Sequence, residues 1–268
     1  MTKEQIFATL WEQYTQQNPA VQRVYDLFTA AGEEVVNDHI AFRTYDDPRI
    51  NIEVLSQPFL KAGYVEKGQY HFEEKKLFAR HFEHITDPKA PRVFISELLT
   101  VHFSPFLQET VKACVDAIPQ DVLASPTLVF EGLVWGTPSF EVYETLRNES
   151  EYAAWLYANG FRANHFTVSV NYLKELNSLE KVNQFLKDNG FRMNDAGGEI
   201  KGTPSELLEQ SSIKSEMIQL AFSEGIREIP GCYYEFARRY PDADGTLYSG
   251  FIAKSADKIF ESTNFYQK

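Results

Sequence analysis

The sequence predicts an α+β fold in which two tandem βαβββ modules build one curved mixed sheet, with additional helices around it. Three observations carry this prediction. A His-led alternating strand, DHIAFRTYDD at residues 38–47, is followed by a helical pattern and then by strand candidates at 63–72, 77–85 and 92–98. At residue 164 the chain begins again with NHFTVSV (164–170), a second helical pattern, and strand candidates around 192–201, 216–222 and 231–239. The spacing also repeats: 24 residues separate His39 from Gly63, and 25 separate His165 from Gly190.

Residues 3–31 place Ile6, Leu10, Tyr14, Val21, Val24 and Phe28 at helical spacing, interrupted at Asn18-Pro19, which predicts two helices. In the strand that follows, His39, Ala41 and Arg43 share one face while Ile40 and Phe42 share the other. Ile50, Ile52, Val54, Leu55 and Leu60 then predict a helix ending at Ala62-Gly63-Tyr64, where glycine suits the left-handed position after a helix. Residues 104–160 carry helical patterns around an apolar segment at 128–135 and read as a connection. In the second repeat His165, Thr167 and Ser169 share a face, a helix runs from Leu173 to Leu186, and Tyr233, Glu235, Ala237 and Arg239 share a face of the last strand. The expected organisation is N-terminal helices (1–36), a first module (37–103), a helical connection (104–162), a second module (163–240) and an extension (241–268) reading as a turn, a short strand and a terminal helix.

At 268 residues and 43% hydrophobic, the chain can bury a sizeable core. Its net charge of −12 and the absence of any Lys/Arg stripe argue against a nucleic-acid partner. An anionic small molecule stays compatible if a buried arginine or a metal receives it. No stretch reaches the roughly 20 apolar residues of a membrane span, and the N-terminus lacks a signal-peptide core. Two well-separated cysteines, Cys114 and Cys232, fit a reducing, cytoplasmic setting. Neither a P-loop nor a G-x-S-x-G elbow occurs.

If a pseudo-twofold axis relates the modules, their first strands lie beside it, and His39 and His165 point into one central space. A carboxylate from a last strand completes a two-His, one-carboxylate face with open positions, the arrangement of non-haem Fe(II) oxygenases. The curved sheet would then surround a central metal site. Glu235 and Glu97, in the strands ending the two modules, are the candidate carboxylates. His39 and Arg43 are i and i+4 on one strand, so both face the same cavity. His71, His81 and His84 alternate with charges and aromatics and read as an exposed hairpin rather than a second metal site.

DHIAFRT, the stretch SEYAAWLYANGFRANHFTVSVN, LLEQSS and YYEFARRY occur in the order found in the 2-oxoadipate dioxygenase/decarboxylase family. The chain resembles that family from about residue 37 to about residue 240 by motif order. The family belongs to the vicinal oxygen chelate superfamily and resembles hydroxymandelate synthase in its chemistry. The resemblance implies that His39, His165 and Glu235 hold Fe(II), with Zn, Ni or Mn able to replace it in purified protein. It also implies that a 2-oxo acid chelates the metal, that O₂ is consumed and CO₂ released, and that Arg43 binds the far carboxylate of a substrate such as 2-oxoadipate, giving 2-hydroxyglutarate. Gln210, Ser211 and Ser212 of LLEQSS either line the pocket and bind substrate or cap a turn. Two other readings are open at this point: a glyoxalase-type isomerase or lyase with Glu97 as fourth ligand, and a metal-free ligand-binding module.

Overall fold

The computed structural model describes residues 1–252 and Ile259. Helices α1 (Lys3–Gln17) and α2 (Pro19–Ala30) precede the first βαβββ module, which is β1 (Asn37–Tyr45), the short helices α3 (Ile52–Leu55) and α4 (Gln57–Lys61), β2 (Tyr64–Phe72), β3 (Leu77–His84) and β4 (Arg92–Leu98). Helices α5 (Pro105–Asp116), α6 (Gln120–Leu123), α7 (Phe140–Glu149) and α8 (Glu151–Asn159) connect to the second module. That module is β5 (Ala163–Ser169), α9 (Leu179–Asp188), β6 (Lys201–Thr203), β7 (Leu208–Ser212), an inserted hairpin of β8 (Met217–Phe222) and β9 (Gly225–Pro230), and β10 (Tyr233–Arg239).

Eight strands form one mixed sheet in the order β2-β3-β4-β1-β5-β10-β7-β6. The first strands of the two modules, β1 and β5, pair antiparallel at its centre, and each pairs in parallel with the last strand of its own module. The period-two alternation of side chains then divides the sheet into two chemically different faces. Ile40, Phe42, Phe166, Tyr234 and Phe236 share the face covered by helices, where Trp11 meets Phe166 edge-on at 5.1 Å, Phe28 meets Phe236 at 5.7 Å and Phe42 meets Phe59 of α4 at 5.6 Å. His39, Ala41, Arg43, His165, Tyr233 and Glu235 occupy the other face, and all are buried.

Local chemistry sets the helix boundaries. Thr2 accepts from the Gln5 amide while the Gln5 side chain returns to the Thr2 amide, a capping box that starts α1. Pro19 opens α2, and the buried Asn18 between the helices bonds the Tyr14 carbonyl on one side and the Cys232 amide on the other, both at 2.8 Å. Gly160 ends α8 at φ +69°, and a Cβ there would lie 2.1 Å from the Gly132 carbonyl oxygen, so only glycine fits the turn that delivers the chain into β5.

Several elements differ from the sequence expectation. The expected strand at 192–201 is reduced to β6, because Asn194–Gly198 forms a turn with Gly197 and Gly198 at positive φ. LLEQSS supplies β7, pairing with β10 and β6, whereas the candidate at 216–222 lies outside the main sheet and, among the described residues, pairs only with β9. The helix expected from Leu173 begins at Leu179, where Ser178 accepts from the Lys181 amide. The stretch after Pro48 divides at Ser56, with Pro58 inside the first turn of α4. The terminal helix expected within 241–268 falls outside the described residues.

The loop before α9 is held from the first half of the chain. Buried Glu33 accepts backbone hydrogen bonds from Lys174 (2.6 Å), Glu175 (2.9 Å) and Leu176 (2.8 Å). Burial alone would raise its carboxyl; the three amides outweigh that and hold it below its ordinary value. Because the folded value is depressed, the stability it contributes is complete above about pH 4.3 and is lost as pH falls through the lowered value. Glu33→Ala is predicted to lower unfolding free energy at pH 7 by about 1–3 kcal/mol. The loss should shrink in acid, as measured by urea unfolding at both pH values; equal midpoints for variant and wild type at pH 7 would show that the clamp contributes nothing.

Candidate metal centre

The central β1–β5 pairing sets His39 opposite Thr167 and Ala41 opposite His165, while β10 sets Tyr233 opposite His165 and Glu235 opposite Thr167. Two histidines and one carboxylate from three adjacent strands thereby converge. Ligand atoms of His39, His165 and Glu235 all lie within 4.8 Å of one another. His39 Nε2 is 3.4 Å from Glu235 Oε1, and His165 Nε2 is 3.3 Å from Oε2.

Each imidazole is held through its other nitrogen. Asp38 Oδ1 lies 2.8 Å from His39 Nδ1, and Asn164 Oδ1 lies 3.0 Å from His165 Nδ1. Burial alone would raise the Asp38 carboxyl, but Arg239, bonded to both of its oxygens at 2.7 and 2.9 Å, helps hold it well below the usual range. An ionised Asp38 only accepts, so the proton sits on His39 Nδ1 and the Nε2 lone pair points into the site. Thr167 Oγ1 meets that Nε2 at 3.0 Å. Burial pushes both imidazoles below their ordinary range, His165 further because His39 and Arg43 lie nearby, so both are neutral donors.

Glu235 shows what this group of residues lacks. Burial pushes its carboxyl up to about 8, against a 2.5 Å hydrogen bond from Gln210 Nε2 to Oε1. Its Oε2 is buried and has no hydrogen-bond partner among the described residues. A carboxylate in this position needs a nearby cation, which a divalent metal would supply. Neutral imidazole nitrogens and a carboxylate oxygen are suitable donors for such an ion.

The repeat also defines what stands in place of a fourth ligand. Parallel pairing puts Ala41 opposite Phe94 in the first module, just as Thr167 is opposite Glu235 in the second. Phe94 therefore occupies the position related to Glu235. Glu97 does not serve there: it pairs with Thr44 on the opposite face, and its Oε2 accepts from the Ile52 amide at the start of α3. Glu97 as fourth ligand is thus corrected by strand parity.

Arg43 is buried on the same face as the three candidate ligands. Its guanidinium carbon lies 4.9 Å from the Tyr152 ring centre and 5.0 Å from that of Trp155, and Nη1 lies 3.4 Å from Glu151 Oε1. Gln210 and Ser212 share this face through their pairing with Ala237 and Glu235. Ser211 does not, because parity turns it outward and its hydroxyl donates to Asn183 Oδ1 on α9 at 2.7 Å. His81, expected in an exposed hairpin, is buried between Tyr70 (2.8 Å) and Glu83 (2.9 Å) and lies opposite Phe94.

A cavity of about 20 Å³, roughly one water in size, adjoins the three candidate ligands. Gln210 and Tyr233 line it, and Phe94, Phe251 and Ile259 close its apolar side. Phe251 meets the His39 ring edge-on at 4.8 Å. Its backbone is anchored by the Tyr70 hydroxyl at 3.1 Å, and Arg239 donates to the Gly250 carbonyl at 2.7 Å, so one arginine bonds both the support of His39 and the segment covering it. A larger cleft of about 690 Å³ near Arg23 and Phe191 is lined by none of the candidate metal- or substrate-binding residues.

Asp38, Asn164, Phe94 and Phe251 were not singled out from the sequence, and Thr167 and Tyr233 were placed on the faces of His165 and Glu235 without a role. For the first two a signal existed: a small side-chain acceptor immediately precedes each repeated histidine, in Asp38-His39 and Asn164-His165.

Comparison with known proteins places the chain in a family. The chain is 35% identical to the 2-oxoadipate dioxygenase/decarboxylase, chloroplastic, of Arabidopsis thaliana, covering 93% of this chain and 74% of that protein. It superposes with TM-score 0.89 on the hydroxyglutarate synthase of Oryza sativa solved with 2-oxoadipate, at 32% identity over 97% of this chain and 91% of the other. A protein of Shewanella frigidimarina NCIMB 400 described as a hydrolase matches at 46% identity and TM-score 0.88, over 94% and 98% of the two chains. Residues 6–243 match the 2-oxoadipate dioxygenase/decarboxylase family itself, and on that extent the chain belongs to this family.

Proposed function

We propose that this protein is an Fe(II)-dependent dioxygenase/decarboxylase that converts a 2-oxo dicarboxylic acid such as 2-oxoadipate, with O₂, to CO₂ and a 2-hydroxy acid, here 2-hydroxyglutarate. The observation that carries the reading is the buried His39–His165–Glu235 cluster with Phe94 in the place of a fourth ligand. Three protein ligands leave positions for substrate and O₂, whereas a glyoxalase-type centre would call for a carboxylate from the first module. The same cluster argues against a metal-free binding module, because Glu235 Oε2 is buried without a hydrogen bond among the described residues. It also favours oxygenase chemistry over the hydrolase description of the Shewanella relative.

A bound Fe(II) would supply Lewis acidity and one-electron chemistry toward O₂. The chain's own residues supply orientation and exclusion of water. Asp38 and Asn164 fix the tautomers and ring directions of the two histidines, and Gln210 fixes one oxygen of Glu235. Phe94 and Phe251 keep the reacting space apolar. Arg43 would receive the far carboxylate, competing with Glu151 for its guanidinium, so the separation between Arg43 and the ligand cluster would select substrate length. Because the cavity is about 20 Å³, a bound 2-oxo acid requires its walls to give way. The proposed setting is a reducing one, the cytoplasm: Cys114 and Cys232 are both buried and unbridged. Among the described residues no helix is long and apolar enough to cross a membrane.

Two outcomes are predicted. Anaerobically Fe(II)-loaded protein should take up O₂ and release an equal amount of CO₂ on addition of 2-oxoadipate, measured with an oxygen electrode and CO₂ trapping. No uptake with any 2-oxo acid at full metal loading would remove the oxygenase reading. Arg43→Met should raise KM for 2-oxoadipate roughly 10- to 100-fold while leaving that for 2-oxohexanoate, which lacks the far carboxylate, within about threefold. Equal effects on the two substrates would place the carboxylate contact elsewhere.

A further inference from the structure

The site face carries a second buried group whose bonding is incomplete. The Tyr233 side chain is fully buried, lines the cavity beside the candidate ligands, and has no hydrogen-bond partner for its Oη among the described residues. A hydroxyl in such a place is costly to leave unmade. Its direction is set by stacking: the Tyr233 and His165 rings lie 4.7 Å apart at 26°. Its backbone is set from the other side of the sheet, where the Tyr14 hydroxyl donates to the Tyr233 carbonyl.

Register places Tyr233 along the path a substrate would follow. Tyr233, His165 and Ala41 form one row across β10, β5 and β1. The row of Glu235, Thr167 and His39 lies on one side of it, and Arg43, two positions beyond Ala41 on the same face, lies on the other. We propose that Tyr233 is a substrate-binding residue whose Oη–H donates a hydrogen bond to an oxygen of the bound 2-oxo acid, between the metal centre and Arg43. The assignment rests on the 2-oxo acid reading given above. It adds a donor to the two anchors of that reading, and it gives an acceptor oxygen on the substrate an energetic role that a hydrocarbon chain cannot fill.

The neighbouring tyrosine supplies the control. Tyr234 is equally buried and its hydroxyl is likewise without a partner among the described residues, but parity puts it on the helix-covered face among Trp11 and Phe236. Tyr233→Phe and Tyr234→Phe therefore remove the same atom from opposite sides of the sheet. Two measurements separate a ligand role from a packing role: thermal unfolding of metal-free protein, and anaerobic calorimetric titration of Co(II)-loaded protein with 2-oxoadipate. Both variants should unfold at or above the wild-type temperature, because each loses an unsatisfied buried hydroxyl. Only Tyr233→Phe should weaken 2-oxoadipate binding, by roughly tenfold. Unchanged binding in Tyr233→Phe, or a lowered unfolding temperature of the kind a structural hydrogen bond would produce, overturns the assignment. Failure of the wild-type Co(II) protein to bind 2-oxoadipate at all overturns the parent reading and this one with it, and the wild-type titration tells those two failures apart.

Discussion

The antiparallel pairing of β1 with β5 is the constraint on which the rest of the structure depends. Among the described residues it is the only direct sheet contact between the two modules, and it puts His39 and His165 side by side although 126 positions separate them in the chain. A one-residue slip would turn either histidine into the aromatic layer beneath the N-terminal helices. That layer, with Phe166, Tyr234 and Phe236 against Trp11, Tyr14 and Phe28, is what makes the slip costly. Packing on one face of the sheet therefore enforces chemistry on the other.

The two modules share a topology but not a composition at the centre. His39 and His165 are related by the repeat, as are their supports Asp38 and Asn164. Phe94 and Glu235 are related as well, and there the repeat is broken. One module contributes a carboxylate and the other a hydrophobic wall, which turns a symmetric scaffold into a one-sided centre with an apolar flank. The supports are also unequal. Asp38 is charged and tied through Arg239 to the Gly250 carbonyl, whereas Asn164 is neutral. The His39 side is thus joined through Arg239 to the segment that covers the cavity.

Much of this was legible in the sequence, for reasons that can be stated residue by residue. Period-two alternation gave the faces of His39, Arg43, His165 and Glu235 correctly, because β1 pairs with β4 and β10 with β5 in unbroken register and all three strands bury both sides; the shifts in the β1–β5 register, at Asn37/His39 and Ala41/Phe42, leave these residues on one face. The repeat in spacing exposed the modules because each helix stops at a glycine, Gly63 and Gly190, that has positive φ. Glu97 misled because it ends its module much as Glu235 does, and composition alone does not show that β4 has it on the other parity. Ser211 misled in the same way inside an otherwise well-placed motif. Residues 216–222 were read as a strand of the second module because Met217–Phe222 has strand character, but β7 holds that place beside β10 and β8 pairs with β9 instead. His81 looked exposed because its neighbours are charged, yet Tyr70 and Glu83 satisfy both its nitrogens in the interior.

The central claim is that three buried side chains from three adjacent strands form one divalent-metal site. Its most direct test is anaerobic equilibrium dialysis of metal-free protein against Co(II), for the wild type and for His39→Ala, His165→Ala and Glu235→Ala, with His71→Ala as an exposed control. One ion per wild-type and His71→Ala chain, and at least roughly 100-fold weaker binding in the other three, is the predicted result. Stoichiometric binding at wild-type affinity in Glu235→Ala, or an equal loss in His71→Ala, would contradict it.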